Sequence, residues 1–125
     1  MNYQVAAASY SQVKHHSAVE DASPHKLIEM LFDGALERIS QAKGAMEHGN
    51  VELKGHKINS AINIVNGLRE NLDHDSGTDI SGNLDGIYEY VTRVLAQAHA
   101  KNDQKLLDEA ATLISDISSA WKQIS

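Results

Sequence analysis

The side chains best suited to metal binding in this sequence are its seven histidines and the carboxylates near them. A di-iron site in a helical bundle needs Glu-x-x-His pairs, and no Glu here has a His three residues later. No two histidines are spaced His-x-x-x-His, so no helix presents a two-histidine zinc face. His74 lies between Asp73 and Asp75, a loop group that favours only weak cation binding. The sequence therefore predicts no metal site.

Phosphate-binding and nucleophile motifs are also missing. Gly44 and Gly49 have P-loop spacing, but Asn50 and Val51 stand where Lys and Ser or Thr are needed. There is no Gly-x-Ser-x-Gly elbow, and the chain has no cysteine for thiol catalysis or disulfides. We therefore expect a protein that is not an enzyme and uses no cofactor.

One histidine keeps a signalling alternative open. His56 lies beside Lys54 and Lys57, and histidine phosphotransfer domains present an exposed helical His near a Lys. Such domains place Lys-Gly three and four residues after the His, where this chain has Asn59 and Ser60. Acid-labile labelling of His56 by a phosphodonor would identify this class.

Composition and charge narrow the remaining classes. The chain has 125 residues, 42% of them hydrophobic, and one proline, which indicates a single domain with long uninterrupted helices. Residues 70–92 contain six acids and no Lys or Arg, which accounts for the whole net charge of −6. The bases are scattered, so nucleic-acid binding is not expected. The longest apolar run is four residues, and the N-terminus does not resemble a secretory signal, so we expect a cytoplasmic protein without membrane insertion.

Four amphipathic segments, separated by capping residues, must position whatever surface the protein uses. The first opens at Ser23-Pro24, the second follows Gly49-Asn50, the third starts at Asp79 or Ser81, and the fourth follows Asn102-Asp103. The apolar positions of the fourth are Leu106, Ala110, Leu113, Ile117, Ala120 and Ile124, with Leu107, Ile114 and Trp121 alongside. Matched lengths and short loops predict an all-α, antiparallel up-down four-helix bundle over residues 23–125.

Two features go beyond a plain bundle. Residues 1–22 lack strong periodicity, but Tyr3, Tyr10 and Val13 are large side chains at helical spacing. This favours a segment that docks onto its own domain or a partner. The stripe of the second helix is also wide, because Ile64, Val65 and Leu68 are joined by Ile62. Such a stripe fits either a thick bundle interior or a groove for another apolar helix.

Several short runs together resemble one family. Residues 23–35, SPHKLIEMLFDGA, are similar to the opening helix of the flagellin-specific export chaperones, the FliS family. The resemblance continues through AINIV at 61–65, IYEY at 87–90, ND at 102–103 and AWK at 120–122. The central loop differs, with Ser76-Gly77-Thr78 where the family has Gly-Gly-Glu, and Ala7 replaces a bulky aliphatic residue.

The resemblance implies a chaperone that binds the C-terminal segment of flagellin one to one and delivers it to the flagellar type III export gate. Other flagellar regulators are further candidate partners. It also implies that the N-terminal segment, with Tyr3, Tyr10 and Val13, caps a hydrophobic groove and docks on the gate protein. The apolar stripes supply nine candidates for that groove: Ile58, Ile62, Ile64, Val65, Leu68, Leu84, Ile87, Tyr88 and Val91. A generic helical adaptor, self-associating through the same stripe, is the alternative.

Overall fold

The computed structural model describes residues 22–72 and 80–124, and their regular structure is entirely α-helical. The helices are α1, Pro24–Glu47; α2, Val51–Glu70; α3, Ile80–Lys101; and α4, Gln104–Gln123. They are the four that the sequence predicts, and α3 begins between its two predicted starts. Tyr3, Tyr10 and Val13 lie outside the described residues, as does the loop at 73–77, so the predicted segment 1–22 stays a prediction.

The predicted caps close three helix N-termini. The side chains of Ser23, Asn50 and Asp103 each accept a backbone N–H from the first turn of their helix, at 2.9–3.1 Å. Pro24 occupies the first position of α1, where its missing N–H would have no helical partner. These local contacts fix where α1, α2 and α4 begin.

Two short turns reverse the chain through residues with positive φ. Gly49 has φ +70° and Asn102 has φ +51°. The next residue in each turn donates back to the helix, Asn50 N to Ala45 O at 2.9 Å and Asp103 N to Ala98 O at 3.0 Å. This is the Schellman arrangement, which needs a left-handed residue such as Gly or Asn.

The helices form a closed antiparallel ring around one core. Each packs on the next, and α4 packs back against α1. Arg69 near the end of α2 pairs with Asp85 near the start of α3, at 2.9 Å. Trp121 near the end of α4 donates to the carbonyl of His25 in the first turn of α1, at 3.0 Å. The predicted antiparallel up-down bundle is therefore confirmed. The largest fully buried side chains come from all four helices: Phe32, Leu31, Ile58, Ile64, Leu95, Leu107 and Ile114.

The wide stripe of α2 is mostly interior. Ile64 and Val65 are fully buried and Leu68 is 2% exposed, while Ile62 is half-buried. Because α2 packs between α1 and α3, its buried arc is wider than a single seam requires. Leu53, which belongs to the same apolar pattern, is instead 40% exposed. No helix in the described ranges is long and apolar enough to cross a membrane.

Candidate functional site

The nine predicted groove residues do not all lie on one accessible surface. Six of them are at most 3% exposed and belong to the core: Ile58, Ile64, Val65, Leu68, Tyr88 and Val91. Ile62 and Leu84 are half-buried, and Ile87 is 36% exposed. In this structure only these last three offer apolar surface to another molecule. Their role in binding stays a prediction.

An accessible apolar surface lies where α3 meets α4. Tyr90 on α3 donates its hydroxyl to Glu109 on α4, which sets the alignment of these antiparallel helices. Ile87 lies one turn before Tyr90 and Leu113 one turn after Glu109, so the two side chains reach the same level. One further turn along each helix brings Leu84 of α3 level with Ile117 of α4 in the same way. We call this surface the α3–α4 seam: Leu84, Ile87, Leu113 and Ile117, packed on the core yet only partly covered.

Exposed apolar side chains continue the seam toward one end of the bundle. Ile80, in the first turn of α3, is 65% exposed, and Ile124, just after α4, is 58% exposed. From Ile80 to Tyr90 the surface extends about 15 Å, because a helix rises 1.5 Å per residue. That length matches about three turns of a second helix.

The polar groups around the seam differ on its two sides. On α4, Glu109 accepts from Tyr90, and this bond raises the pKa of the Tyr90 hydroxyl. On α3, Arg93 stacks over the Tyr90 ring at 5.5 Å and pairs with Glu89 at 2.8 Å. The tyrosine therefore bridges the helices at mid-bundle, where the apolar part of the seam ends.

A second apolar patch lies at the opposite end of the bundle. Val51 and Leu53, in the first turn of α2, are 65% and 40% exposed. Leu53 borders an open hollow of about 570 Å³, which His48 and Lys57 also line. This patch was not among the predicted groove residues.

One of the two lysines of the phosphotransfer alternative is turned away from His56. His56 is exposed, but Lys54 is 5% exposed and turned away toward α3. Its ammonium donates to His99 O at 3.2 Å and to Asn102 Oδ1 at 2.9 Å. Lys54 thus holds the end of α3. Within residues 22–72 and 80–124, no three potential metal ligands come together.

The comparisons with known proteins agree over nearly the whole chain. The family model for the flagellar protein FliS matches residues 6–125. The flagellar secretion chaperone FliSB of Pseudomonas aeruginosa is 46% identical over 120 residues, which covers 96% of this chain and 95% of that protein. The flagellar secretion chaperones FliS of Salmonella typhimurium and Vibrio cholerae are 48% and 41% identical, over 94% and 93% of this chain and 87% and 85% of theirs. The chain belongs to the FliS family.

The match to FliS includes all four helices, so the seam lies inside the FliS region. Sequence reasoning missed Leu113 and Ile117 as surface residues because it placed them in the main stripe of α4. In the structure, Leu107 and Ile114 instead face the centre of the core and are fully buried. Leu113 and Ile117 lie beside them at the edge of the core and are only partly buried. Two parallel stripes on one helix were the signal, since only one of them can face the centre of the core.

A hollow of about 360 Å³ lies where the N-terminal segment joins the FliS bundle. Pro24, His25, Ile28 and Trp121 are among its lining residues. The His25 ring stacks on Trp121 with centroids 4.6 Å apart. The resemblance placed the N-terminal segment over a groove, and that placement stays a prediction.

Proposed function

We propose that this protein is a flagellar secretion chaperone whose client is flagellin. It binds the C-terminal segment of flagellin one to one in the cytoplasm, prevents premature polymerisation and presents the client to the type III export gate. The observation that carries the proposal is the identity of 41–48%, over more than nine-tenths of the chain, to relatives named flagellar secretion chaperones. No catalysis is required, because handover to the gate releases the client.

The exposed apolar surface supports a binding role, and its small area limits the binding free energy that it can provide. Fully burying a large apolar side chain contributes about 1.5–3 kcal/mol. A side chain that still exposes a third of its area therefore contributes roughly 0.5–1 kcal/mol when a partner covers it. Ile87 is 36% exposed and the other three seam residues are half-buried, so the four contribute at most about 2–4 kcal/mol. Ordering a flexible segment costs about 2–5 kcal/mol. The seam by itself only offsets that cost, so the client also contacts other surfaces. The exposed apolar candidates are Ile80 and Ile124 beside the seam, and Val51 and Leu53 at the opposite end of the bundle.

Calorimetry with two forms of the client tests the proposal. Purified monomeric flagellin is expected to bind with a stoichiometry of one. Flagellin without its C-terminal segment is expected not to bind. Equal binding of both forms, or binding of neither, would contradict it. Sedimentation with and without flagellin distinguishes this function from that of a self-associating adaptor. Such an adaptor would be a dimer whether or not flagellin is present.

Paired alanine variants test which surface is used. Ile87→Ala with Leu113→Ala removes apolar area from the seam and is expected to weaken flagellin binding about tenfold. Val51→Ala with Leu53→Ala removes exposed apolar area at the other end of the bundle. A loss confined to this second pair would move the binding site away from the seam.

The N-terminal segment has a separate test. If it covers an apolar surface in the free protein, Tyr10→Ala increases hydrogen exchange in residues 58–68 or weakens binding to the gate protein. Unchanged exchange together with normal gate binding would exclude the proposed cap. Far-UV circular dichroism serves as the control for folding of the variant.

A further inference from the structure

A hollow of about 270 Å³ lies at the end of the bundle that carries the α1–α2 and α3–α4 turns. The exposed part of the seam extends toward the other end, so the hollow is separate from it. Within the described ranges, no Asp or Glu lines this hollow. Its lining combines an apolar wall with a polar one that carries a cation: Ala45, Met46 and Val51 on the first, and Lys54, His99 and Asn102 on the second.

The cation of the polar wall is buried and has one unused donor. Lys54 is 5% exposed, and its ammonium donates to His99 O at 3.2 Å and to Asn102 Oδ1 at 2.9 Å. Both acceptors belong to residues that line the hollow, so the ammonium lies at its wall. An ammonium has three N–H donors, and among the described residues only two of them have partners. Because a buried charge is costly unless it is paired, this ammonium favours a negatively charged acceptor.

A second polar group at the hollow lacks a partner. His99 Nδ1 is buried and makes no hydrogen bond within the described part of the chain. Gly55 of α2 leaves room for the ring, since a Cβ there would meet His99 Cε1 at 3.4 Å and Nε2 at 3.5 Å. Buried polar groups in proteins are nearly always hydrogen-bonded, so this exception needs an explanation. An acceptor in the hollow provides one, because rotation of the ring about its Cβ–Cγ bond then presents a ring N–H to it.

The two donors and the apolar wall together select one kind of ligand. A carboxylate has two oxygens, which match the donors of Lys54 and His99. A phosphate would turn its further oxygens toward Ala45, Met46 and Val51, whose side chains cannot donate. An aliphatic group is by contrast favoured against that wall.

We propose that this hollow binds a carboxylate carried on a short aliphatic stem. One carboxylate oxygen accepts from the third N–H of Lys54 and the other from the imidazole of His99. The stem lies against Met46 and Val51. This site is independent of the seam and of the proposed chaperone function.

Titration of the isotope-labelled protein with butyrate, followed by NMR signals of the His99 ring and the Val51 methyl groups, tests the proposal. Both sets of signals are expected to shift and to saturate with a Kd of about 1–10 mM. Butyramide has the same shape without the charge and is expected to bind at least about tenfold more weakly. Equal shifts with the two compounds, or no saturation below about 100 mM butyrate, would overturn the carboxylate site.

A lysine pair locates the site. Lys54→Met removes the ammonium and is expected to abolish saturation by butyrate. Lys57→Met, on the same helix, is the matched control, because Lys57 lines the separate hollow beside Leu53. It is expected to leave the affinity for butyrate unchanged.

A second pair of variants avoids the loss of stability expected for Lys54→Met. Val51 is 65% exposed in the first turn of α2, where a carboxylate favours the helix. In Val51→Asp the new carboxylate competes for the ammonium, so butyrate binding is expected to weaken about tenfold. Leu53→Asp places the same charge beside the other hollow and is expected to have little effect. Unchanged binding in both Lys54→Met and Val51→Asp would place butyrate elsewhere and refute the site.

Further ligands identify the source of the carboxylate. N-acetylglutamate amide presents it on a peptide unit: tighter binding than butyrate assigns the hollow to an acidic side chain of another protein, and weaker binding assigns it to a short free acid. Tighter binding of inorganic phosphate than of either compound would contradict the carboxylate assignment. These measurements use the protein without flagellin, so their failure leaves the proposed chaperone function intact.

Discussion

Replacing the buried Lys54 tests whether this side chain locks the end of the bundle. Lys54 is 5% exposed, and its ammonium donates to His99 O and Asn102 Oδ1, both at the C-terminal end of α3. That end of a helix carries partial negative charge, which an ammonium stabilises. No carboxylate pairs with Lys54 in the described ranges. Lys54→Met keeps most of the side chain's length and removes the charge and the donors.

The expected loss follows from two opposing effects. A hydrogen bond from a charged donor contributes about 1.5–3 kcal/mol, and Lys54→Met removes two of them. Relief from burying an ammonium offsets part of this. We expect a net loss of about 1–3 kcal/mol in the free energy of unfolding, which lowers the melting temperature by roughly 4–12 °C in a domain of this size.

Urea unfolding measured by far-UV circular dichroism and by Trp121 fluorescence checks this value. Lys57→Met, on the same helix and without an ion pair in the described structure, is expected to change stability by less than about 0.5 kcal/mol. In an Asn102→Gly background, which keeps the positive φ but removes one acceptor, the cost of Lys54→Met is expected to shrink. If Lys54→Met is as stable as the unchanged protein, the free-energy cost of burying the ammonium cancels the gain from its two hydrogen bonds. The reasoning is then refuted.

Three further substitutions have defined outcomes. Burial raises the pKa of Tyr88 to about 12, so the unfolded chain loses this proton first and stability falls as pH rises from about 10 toward 12. The contribution of Tyr88 to this fall is about 1.4 kcal/mol at pH 11, so stability falls less steeply in Tyr88→Phe, as urea unfolding at pH 9 and 11 would show. Equal slopes in both proteins would contradict it. Trp121→Phe removes the 3.0 Å bond to His25 O and is expected to cost about 1–2 kcal/mol by thermal circular dichroism, so an unchanged melting temperature would show that the bond contributes nothing. Gly49→Ala forces a Cβ into φ +70° and is expected to cost about 1–2 kcal/mol in urea unfolding, and a gain in stability would disprove that strain.

The helices were predictable from the sequence because their signals are local. Ser23, Asn50 and Asp103 cap helices as their residue types predict, and Gly49 and Asn102 end helices where left-handed residues are favoured. A capping contact spans two or three residues, so one sequence contains all of its determinants.

The surface was less predictable because burial depends on neighbouring helices. Val65 and Leu68 were predicted to line a groove. In the described structure both are buried, because the helix that carries them, α2, packs between α1 and α3. Leu113 and Ile117 have the same periodicity as core residues, and only the alignment of α4 on α3 leaves them at an edge. Lys54 is similar, since no local rule indicates that a lysine between Leu53 and Gly55 reaches the end of another helix.

The closure of the ring by α4 against α1 has a consequence for synthesis on the ribosome. Glu47 ends α1, and Gln104 begins α4 roughly 60 residues later. At about 5–20 residues per second, the apolar face of α1 that α4 covers stays open for at least roughly 3–12 s after α1 is made, because α4 must itself be synthesised first. During that interval α1, α2 and α3 can pack on one another, but Phe32, which contacts Trp121 of α4 in the folded protein, lacks its final cover. The nascent chain thus passes through a stage in which part of its future core is exposed to water.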